Sequence, residues 1–261
     1  MSDPSHVAEN RRHWDDIADQ WISTGEQAWA SVDPVWGAWR VSNDDYPILP
    51  RDMSGMDAIE LGCGTAYVSA WMMRRGADSV TAIDNSAKQL ETARRLAAEY
   101  GYAIDFIEGD AEVVPRPDEA YDFAVSEYGA AIWCEPAAWV REAWRLLRPG
   151  GELVFLGNSP LSMACMPLDG SAVGLALVRD YFDLGTIDWR HVDVDPGGVE
   201  FNLPISGWFK LFAEVGFSVE NYYEIQAPAS ASGDEFGVSA GWAKRFPSEQ
   251  IWKLKKALGT Y

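Results

Sequence analysis

Basic residues, histidine and cysteine are all scarce in this 261-residue chain, and each shortage removes a class of function. Lys and Arg total 21 against 40 Asp and Glu, a formal net charge of −19. A chain of that sign repels a phosphate backbone instead of displacing its counterions, so no nucleic acid partner is expected. Histidine occurs three times, as His6, His13 and His191, and cysteine three times, as Cys63, Cys134 and Cys165. Neither set has the spacing of a zinc site, and three scattered cysteines do not build a disulfide framework, so no metal is expected. No run approaches the roughly 20 apolar residues that a membrane span requires. The opening MSDPSHVAENRRHWDD has no apolar signal core. A cytoplasmic protein without a membrane partner is expected.

What is present is globular composition, with 48% hydrophobic and 23% charged residues over a length that suits one large domain or two small ones. Over residues 5–29, Trp14, Ile17, Ala18, Trp21 and Ile22 recur at offsets of three and four, which predicts an amphipathic helical arm. From Trp29 through Pro34, Trp36 and Trp39 to Pro47 and Pro50, the prolines and Asn43-Asp44-Asp45 oppose further helix. Residues 1–50 therefore read as a helical arm with a lid or linker.

From about residue 57 short apolar runs appear: Ala58 to Leu61, Val80 to Ile83, Ile104 to Ile107, Tyr121 to Val125 and Glu152 to Leu156. Helical candidates lie between them near 66–75, 86–100 and 136–147. Strands alternating with helices of this length pair in parallel through right-handed crossovers, which predicts a doubly wound α/β fold with helices on both sheet faces. Pro149-Gly150-Gly151 marks the end of a helix and the start of a strand. Residues 51–157 form the expected core. The stretch 158–205 mixes Met163, Met166, Tyr181, Phe182 and Trp189 with Gly, Pro and Asp and reads as a substrate-lid insertion, with Met163, Cys165 and Met166 as lid packing. Residues 206–261 return to the same core with a helix over 206–215 and a strand over 217–226. A tail carrying Trp242 and Trp252 is expected to wrap the domain.

The segment Ala58-Ile59-Glu60-Leu61-Gly62-Cys63-Gly64-Thr65-Ala66-Tyr67 is an apolar strand turning through two glycines into a helix. Such a turn lets a ligand approach the backbone, and the helix start offers free amide donors. Asp84 ends the next strand 20 residues beyond Gly64, where an acid can accept hydrogen bonds from ribose hydroxyls. Asp110, in Glu108-Gly109-Asp110-Ala111-Glu112, follows the third strand at the same carboxyl edge. A dinucleotide pyrophosphate asks for a small residue where Tyr67 stands, and Glu60 adds negative charge nearby. Adenosine, ribose and a cationic amino-acid tail suit this acidic edge better, which points to S-adenosylmethionine. An NAD(P)-dependent oxidoreductase on the same kind of sheet is the rival reading, and a non-catalytic S-adenosylmethionine-binding protein is a third.

The string AIELGCGTAYVS, Asp84-Asn85-Ser86, the run from Gly109 through Pro115 and Pro117, Tyr121-Asp122, and Arg145 to Gly151 together resemble the class I S-adenosylmethionine-dependent methyltransferases, particularly a small-molecule branch that includes quinone methyltransferases. The resemblance covers about residues 8–157. It implies a Rossmann-like, mostly parallel seven-stranded sheet with an antiparallel last strand, a helical N-terminal arm and an inserted lid. It further implies that Glu60, Gly62, Cys63 and Gly64 hold the methionine part, Asp84 and Asn85 the ribose, and Asp110, Ala111 and Glu112 the adenine. Trp21 falls where an aromatic lies near the methionine tail, and Ser126, Glu127 and Tyr128 fall where cofactor and acceptor meet. Ala66 stands where many relatives have glycine, and the histidine that some relatives carry in the SEYGAAIW loop is absent.

Methyl transfer from a sulfonium is an in-line displacement, governed largely by alignment in a water-poor site. A hydroxyl acceptor gains from a base, for which Glu127, Tyr128, His191 and His13 are the candidates. The thirteen tryptophans include Trp133, Trp189 and Trp208 in or beside the expected acceptor region, and aromatic walls suit an apolar or aromatic molecule or a cation over a ring face. The expected reaction is methyl transfer to O, N or C of a small acceptor, with S-adenosylhomocysteine as product, by a monomer or homodimer.

Overall fold

The computed structural model describes residues 5–194 and 197–258. Residues 1–4 of the opening segment and 195–196 of the expected insertion lie outside that description. Seven strands form one sheet: β1 (Asp57–Leu61), β2 (Ser79–Asp84), β3 (Asp105–Glu108), β4 (Tyr121–Glu127), β5 (Leu147–Asn158), β6 (Phe217–Ile225) and β7 (Glu249–Lys256). Their spatial order is β6-β7-β5-β4-β1-β2-β3. The pairs among β1 to β5 are parallel, whereas β7 is antiparallel to both of its neighbours. The expected doubly wound sheet with an antiparallel last strand is therefore the observed one.

The short apolar runs form strands because both sheet faces are covered, which removes the polar alternation of a half-exposed sheet. Successive side chains still point to opposite faces. Ala58, Phe123, Val154 and Leu156 pack on one side with Trp71 and Met72, while Ile59, Ala124, Leu153 and Phe155 pack on the other with Trp139 and Phe212. Trp208 belongs to this second core, only 3% exposed and 5.2 Å from the Phe155 ring, and so lies away from the acceptor region expected for it. Trp252 departs from expectation too. It sits fully buried within β7 and wraps nothing, because the tail inserts as a strand between β5 and β6. Leu147 starts β5 two residues before Pro149-Gly150-Gly151, so that punctuation falls inside a strand, beside a register shift against β4 between Tyr121 and Phe123.

Helices α1 (Ser5–Ala30), α2 (Tyr67–Arg74), α3 (Ala87–Tyr100), α4 (Gly129–Trp133) and α5 (Pro136–Leu146) flank this sheet. Ser86 caps α3 through Oγ, which accepts the Gln89 amide, and so fixes where the chain turns after Asp84. The end of α1 is fastened to α2: the Arg74 guanidinium donates to the carbonyls of Trp29 and Ser31, and the Trp71 indole donates to Ser31 at 3.1 Å. These contacts satisfy carbonyls that a helix end leaves open. Of the predicted apolar stripe on α1 only Ala18 is buried; Trp14 and Trp21 are half-buried because a cavity lies beneath them. Residues 158–203 hold a short helix, Pro160–Cys165, and a two-stranded ribbon, Thr186–Asp188 with Val199–Phe201. No helix among the described residues is long and apolar enough to cross a membrane.

Candidate functional site

The strand order reverses between β1 and β4, and open α/β sheets bind ligands at the carboxyl ends of strands around such a point. A cavity of about 780 Å³ lies there, lined among others by residues of α1, of the 158–203 insertion and of residues 234–238.

The glycine turn forms its floor. Gly62 adopts φ +74°, and a Cβ on it would stand 2.6 Å from the Ala130 amide nitrogen, so this glycine is required by the close approach of α4. Gly64 differs. Its φ is +51°, but a Cβ there would meet nothing nearer than Gln89 Oε1 at 3.9 Å, because the position faces open space that a ligand can use. Ala66, the alanine where the resemblance carries glycine, also takes a left-handed conformation, φ 61°, at the start of α2. That conformation is the physical reason glycine suits the position.

The predicted acids divide by what already holds them. Glu60, near the end of β1, is buried and accepts both the amide and the hydroxyl of Ser69 in the first turn of α2. Burial is the main force on it and raises its pKa to about 8, opposed by the Ser69 hydrogen bonds. Asp84 braces the turn: Oδ2 accepts the Gly64 amide at 2.7 Å and Oδ1 the Ser86 amide at 2.8 Å. Its pKa is raised chiefly by burial. Asp110 accepts the Glu112 amide, and Asp110, Ala111, Asn85 and Cys63 all face the cavity.

Four predicted residues do not line it. Glu112 accepts from His6 on α1 and from the Glu135 amide, each at 2.7 Å. Ser126 is fully buried and donates to the Leu61 carbonyl at 2.8 Å. His13 packs edge-on against Trp14, and a Cβ on Gly197 would lie 3.0 Å from its ring. His191 is exposed on a turn within the insertion.

Glu127, the last residue of β4, and Tyr128 after it stand, by contrast, at the cavity wall. The Gly37 amide donates to Glu127 Oε1 at 2.7 Å, Tyr67 is hydrogen-bonded to the same carboxyl, and burial lifts its pKa to about 7. Tyr128 has φ 57°, an unfavourable value for a bulky residue, and its hydroxyl donates to Glu249 Oε1. Glu249 also accepts the Ala38 amide at 2.8 Å and is likewise raised by burial to about 7.

Glu249 carries no local signal in the sequence. It reaches the site because β7 runs antiparallel and so delivers its first residue, not its last, to the carboxyl edge, where Glu249 pairs with Asn158 of β5. Phe236, at the tip of the ribbon Asp234–Glu235 with Val238–Ser239, was also hidden. Gly233 and Gly237 on either side signal a turn, but not that its phenylalanine lies 6.3 Å from Trp21 with nearly parallel rings. Trp14, 5.6 Å from Trp21 and 5.4 Å from Trp133, continues the same wall.

The sheet order, with the glycine turn and its acids at the carboxyl edge, defines a Rossmann-like fold with a cavity at its switch point. Residues 59–155 match a family described as a methyltransferase domain. The chain is 32% identical over 124 residues to 2-methyl-6-phytyl-1,4-hydroquinone methyltransferase 1 of Oryza sativa subsp. japonica, a match covering 46% of this chain and 37% of that one. It is 37% identical over 160 residues to the malonyl-acyl-carrier-protein O-methyltransferase of Pectobacterium atrosepticum, covering 58% of this chain and 60% of that one. The chain thus spans between about a third and three-fifths of these curated relatives. Among solved structures, an S-adenosylmethionine-dependent methyltransferase from Mesorhizobium loti aligns with TM-score 0.63 at 23% identity, over 81% of this chain and 95% of that one. The cyclase SpnF aligns with TM-score 0.66 at 20% identity, over 99% of both chains. Over residues 59–155 the chain thus carries a region that matches a methyltransferase domain, set in a Rossmann-like sheet.

Proposed function

We propose that the protein transfers the methyl group of S-adenosylmethionine to a small acceptor held in the aromatic half of its cavity. The observation that carries this reading is the continuity of one cavity from the Gly64 turn, Asp84 and Asp110 to Trp14, Trp133 and Tyr128. The open space at Gly64 and the buried, unpartnered Nε1 of Trp21 are features that a bound cofactor would fill or satisfy. Asp84 would hold the ribose hydroxyls, Asp110 and Ala111 the adenine, and the Glu60 to Gly64 turn the methionine part.

When bound, the cofactor supplies an electrophilic methyl carbon on a sulfonium. The protein's own residues exclude water, through the α1 arm and the Phe236 ribbon, and orient the acceptor. Glu127 stands at the wall where it can take a proton from an acceptor heteroatom, and a carboxyl near neutrality suits that work. The named relatives are a hydroquinone methyltransferase and a malonyl-acyl-carrier-protein O-methyltransferase; the aromatic wall favours a ring-bearing or apolar acceptor here. The three cysteines are unpaired, which fits a reducing, cytoplasmic setting. An acceptor screen with radiolabelled methyl donor tests the reading: transfer to a ring-bearing small molecule supports it, and cofactor binding without transfer to any acceptor contradicts it.

A further inference from the structure

We propose that the acceptor is a cationic amine, recognised through its ammonium group by the Glu127 and Glu249 carboxylates and through its body by the ring wall that leads to them. This inference rests on the methyl-transfer reading and adds the chemical class of the acceptor.

The first observation is charge. Nine carboxylate side chains and one guanidinium, that of Arg40, are found among the described residues that line the cavity. Three of those acids serve the cofactor end. Glu200 is taken as well, accepting from Trp189, Asn158 and Asn202.

The second observation concerns unused hydrogen-bonding capacity. Glu127 Oε1 accepts the Gly37 amide, with Tyr67 hydrogen-bonded to the same carboxyl, and Glu249 Oε1 accepts the Ala38 amide and the Tyr128 hydroxyl, while Oε2 of each glutamate is buried and has no geometric hydrogen-bond partner among the described residues. Glu249 is only 1% exposed and faces the cavity. A buried carboxylate oxygen without a donor is costly, so these two atoms call for a ligand that brings hydrogens or positive charge. A phenol brings one donor, and a carboxylate or thioester brings none. An ammonium brings charge and up to three donors.

The third observation is the approach. The rings of Trp133, Trp14, Trp21, Phe236 and Tyr128 follow one another at 5.4, 5.6, 6.3 and 6.5 Å, and the last of them donates to Glu249. Rings that end at carboxylates form a path that attracts organic cations, and the one guanidinium among the described lining residues, Arg40, acts on Glu127 by lowering its pKa against the effect of burial. The net charge of −19 draws cations toward the molecule as well.

Burial holds both glutamates near neutrality, and a neighbouring ammonium favours their ionised forms. The reaction then balances simply. The ammonium gives one proton to a carboxylate, which frees the nitrogen lone pair. That pair forms the new N–C bond while the electrons of the C–S bond remain on sulfur. The product is a methylated ammonium ion and a neutral thioether.

The test is calorimetric titration of the protein saturated with S-adenosylhomocysteine, using arylalkyl amines each matched with its alcohol and its carboxylic acid. The amine of at least one set should bind about tenfold or more tighter than its alcohol, with the acid weakest. Glu249→Gln keeps an oxygen for Ala38 and should lose that preference while binding S-adenosylhomocysteine as before. No preference for the amine in any matched set overturns the proposal, as does a preference that survives in both Glu249→Gln and Glu127→Gln. Failure of S-adenosylhomocysteine itself to bind would instead overturn the methyl-transfer reading on which the proposal rests.

Discussion

Tyr128 donates its hydroxyl to Glu249, 121 residues further along the chain, and the contact joins the end of β4 to the start of β7 in the lining of the cavity. The phenol is held there at the cost of a positive φ, and its ring closes the aromatic wall. Removing only the hydroxyl, Tyr128→Phe, leaves Glu249 with one donor fewer. The acceptor KM should rise several-fold, with cofactor affinity unchanged. Steady-state kinetics together with cofactor titration checks this, and an unchanged KM would separate Tyr128 from acceptor binding.

The two glycines of the turn should respond differently. Gly62→Ala drives a methyl into the backbone of α4 and should destabilise the fold by more than about 2 kcal/mol, a value typical of core overpacking with backbone strain. Gly64→Ala meets no protein atom, so it should cost roughly 1 kcal/mol from its left-handed φ and should chiefly weaken cofactor binding. Urea denaturation and cofactor titration on both variants separate the effects. Equal loss of stability would remove the distinction between packing and cradle.

Asp84→Ala should weaken S-adenosylmethionine binding by on the order of 1–3 kcal/mol, through lost hydrogen bonds to a charged group. Part of that loss comes from the turn, since Asp84 also braces Gly64 and Ser86. Asp84→Asn, which retains one acceptor, should fall between. An unchanged dissociation constant in Asp84→Ala contradicts the ribose assignment.

The proton sites make opposite predictions for Glu127 and His191. His191 is exposed and outside the cavity, so His191→Ala should leave turnover within about twofold, as surface substitutions usually do. Glu127→Gln should reduce kcat while sparing cofactor binding. The reverse pattern would return the base to the insertion.

Stability should fall as pH rises through neutrality. Burial holds Glu60 at about 8 and Glu127 and Glu249 at about 7, all above their ordinary value of 4.5. The native state therefore binds more protons than the unfolded chain between about pH 4.5 and 8. Unfolding free energy decreases with pH across that window and levels off above it. The urea midpoint of the ligand-free protein should be higher near pH 5.5 than near pH 8.5, and a rise over this interval contradicts the burial of the three carboxyls.

The parallel core was legible because its signals are local. Each strand is a short apolar run, each helix has its own period, and the Gly62 to Gly64 turn with Asp84 and Asp110 lies within about 50 residues. The acceptor half depends on long-range topology. Glu249 becomes a site residue only through the antiparallel insertion of β7, and Phe236 only through the fold-back of its ribbon. Trp252 was misplaced for the same reason, since a strand that inserts between β5 and β6 reads locally like any apolar tail. Of the four proton-carrier candidates, Glu127 and Tyr128 line the cavity and His13 and His191 do not, and the upward shift of the Glu127 pKa comes from burial, which sequence does not display.

The most direct measurement is calorimetric titration of the purified protein with S-adenosylmethionine, S-adenosylhomocysteine, NADH and NADPH under identical salt and pH. Micromolar binding of the two adenosyl sulfur ligands and none of the dinucleotides is the predicted result. Binding of a dinucleotide in their place would contradict the reading of the Gly64 turn and make the cavity that of an oxidoreductase.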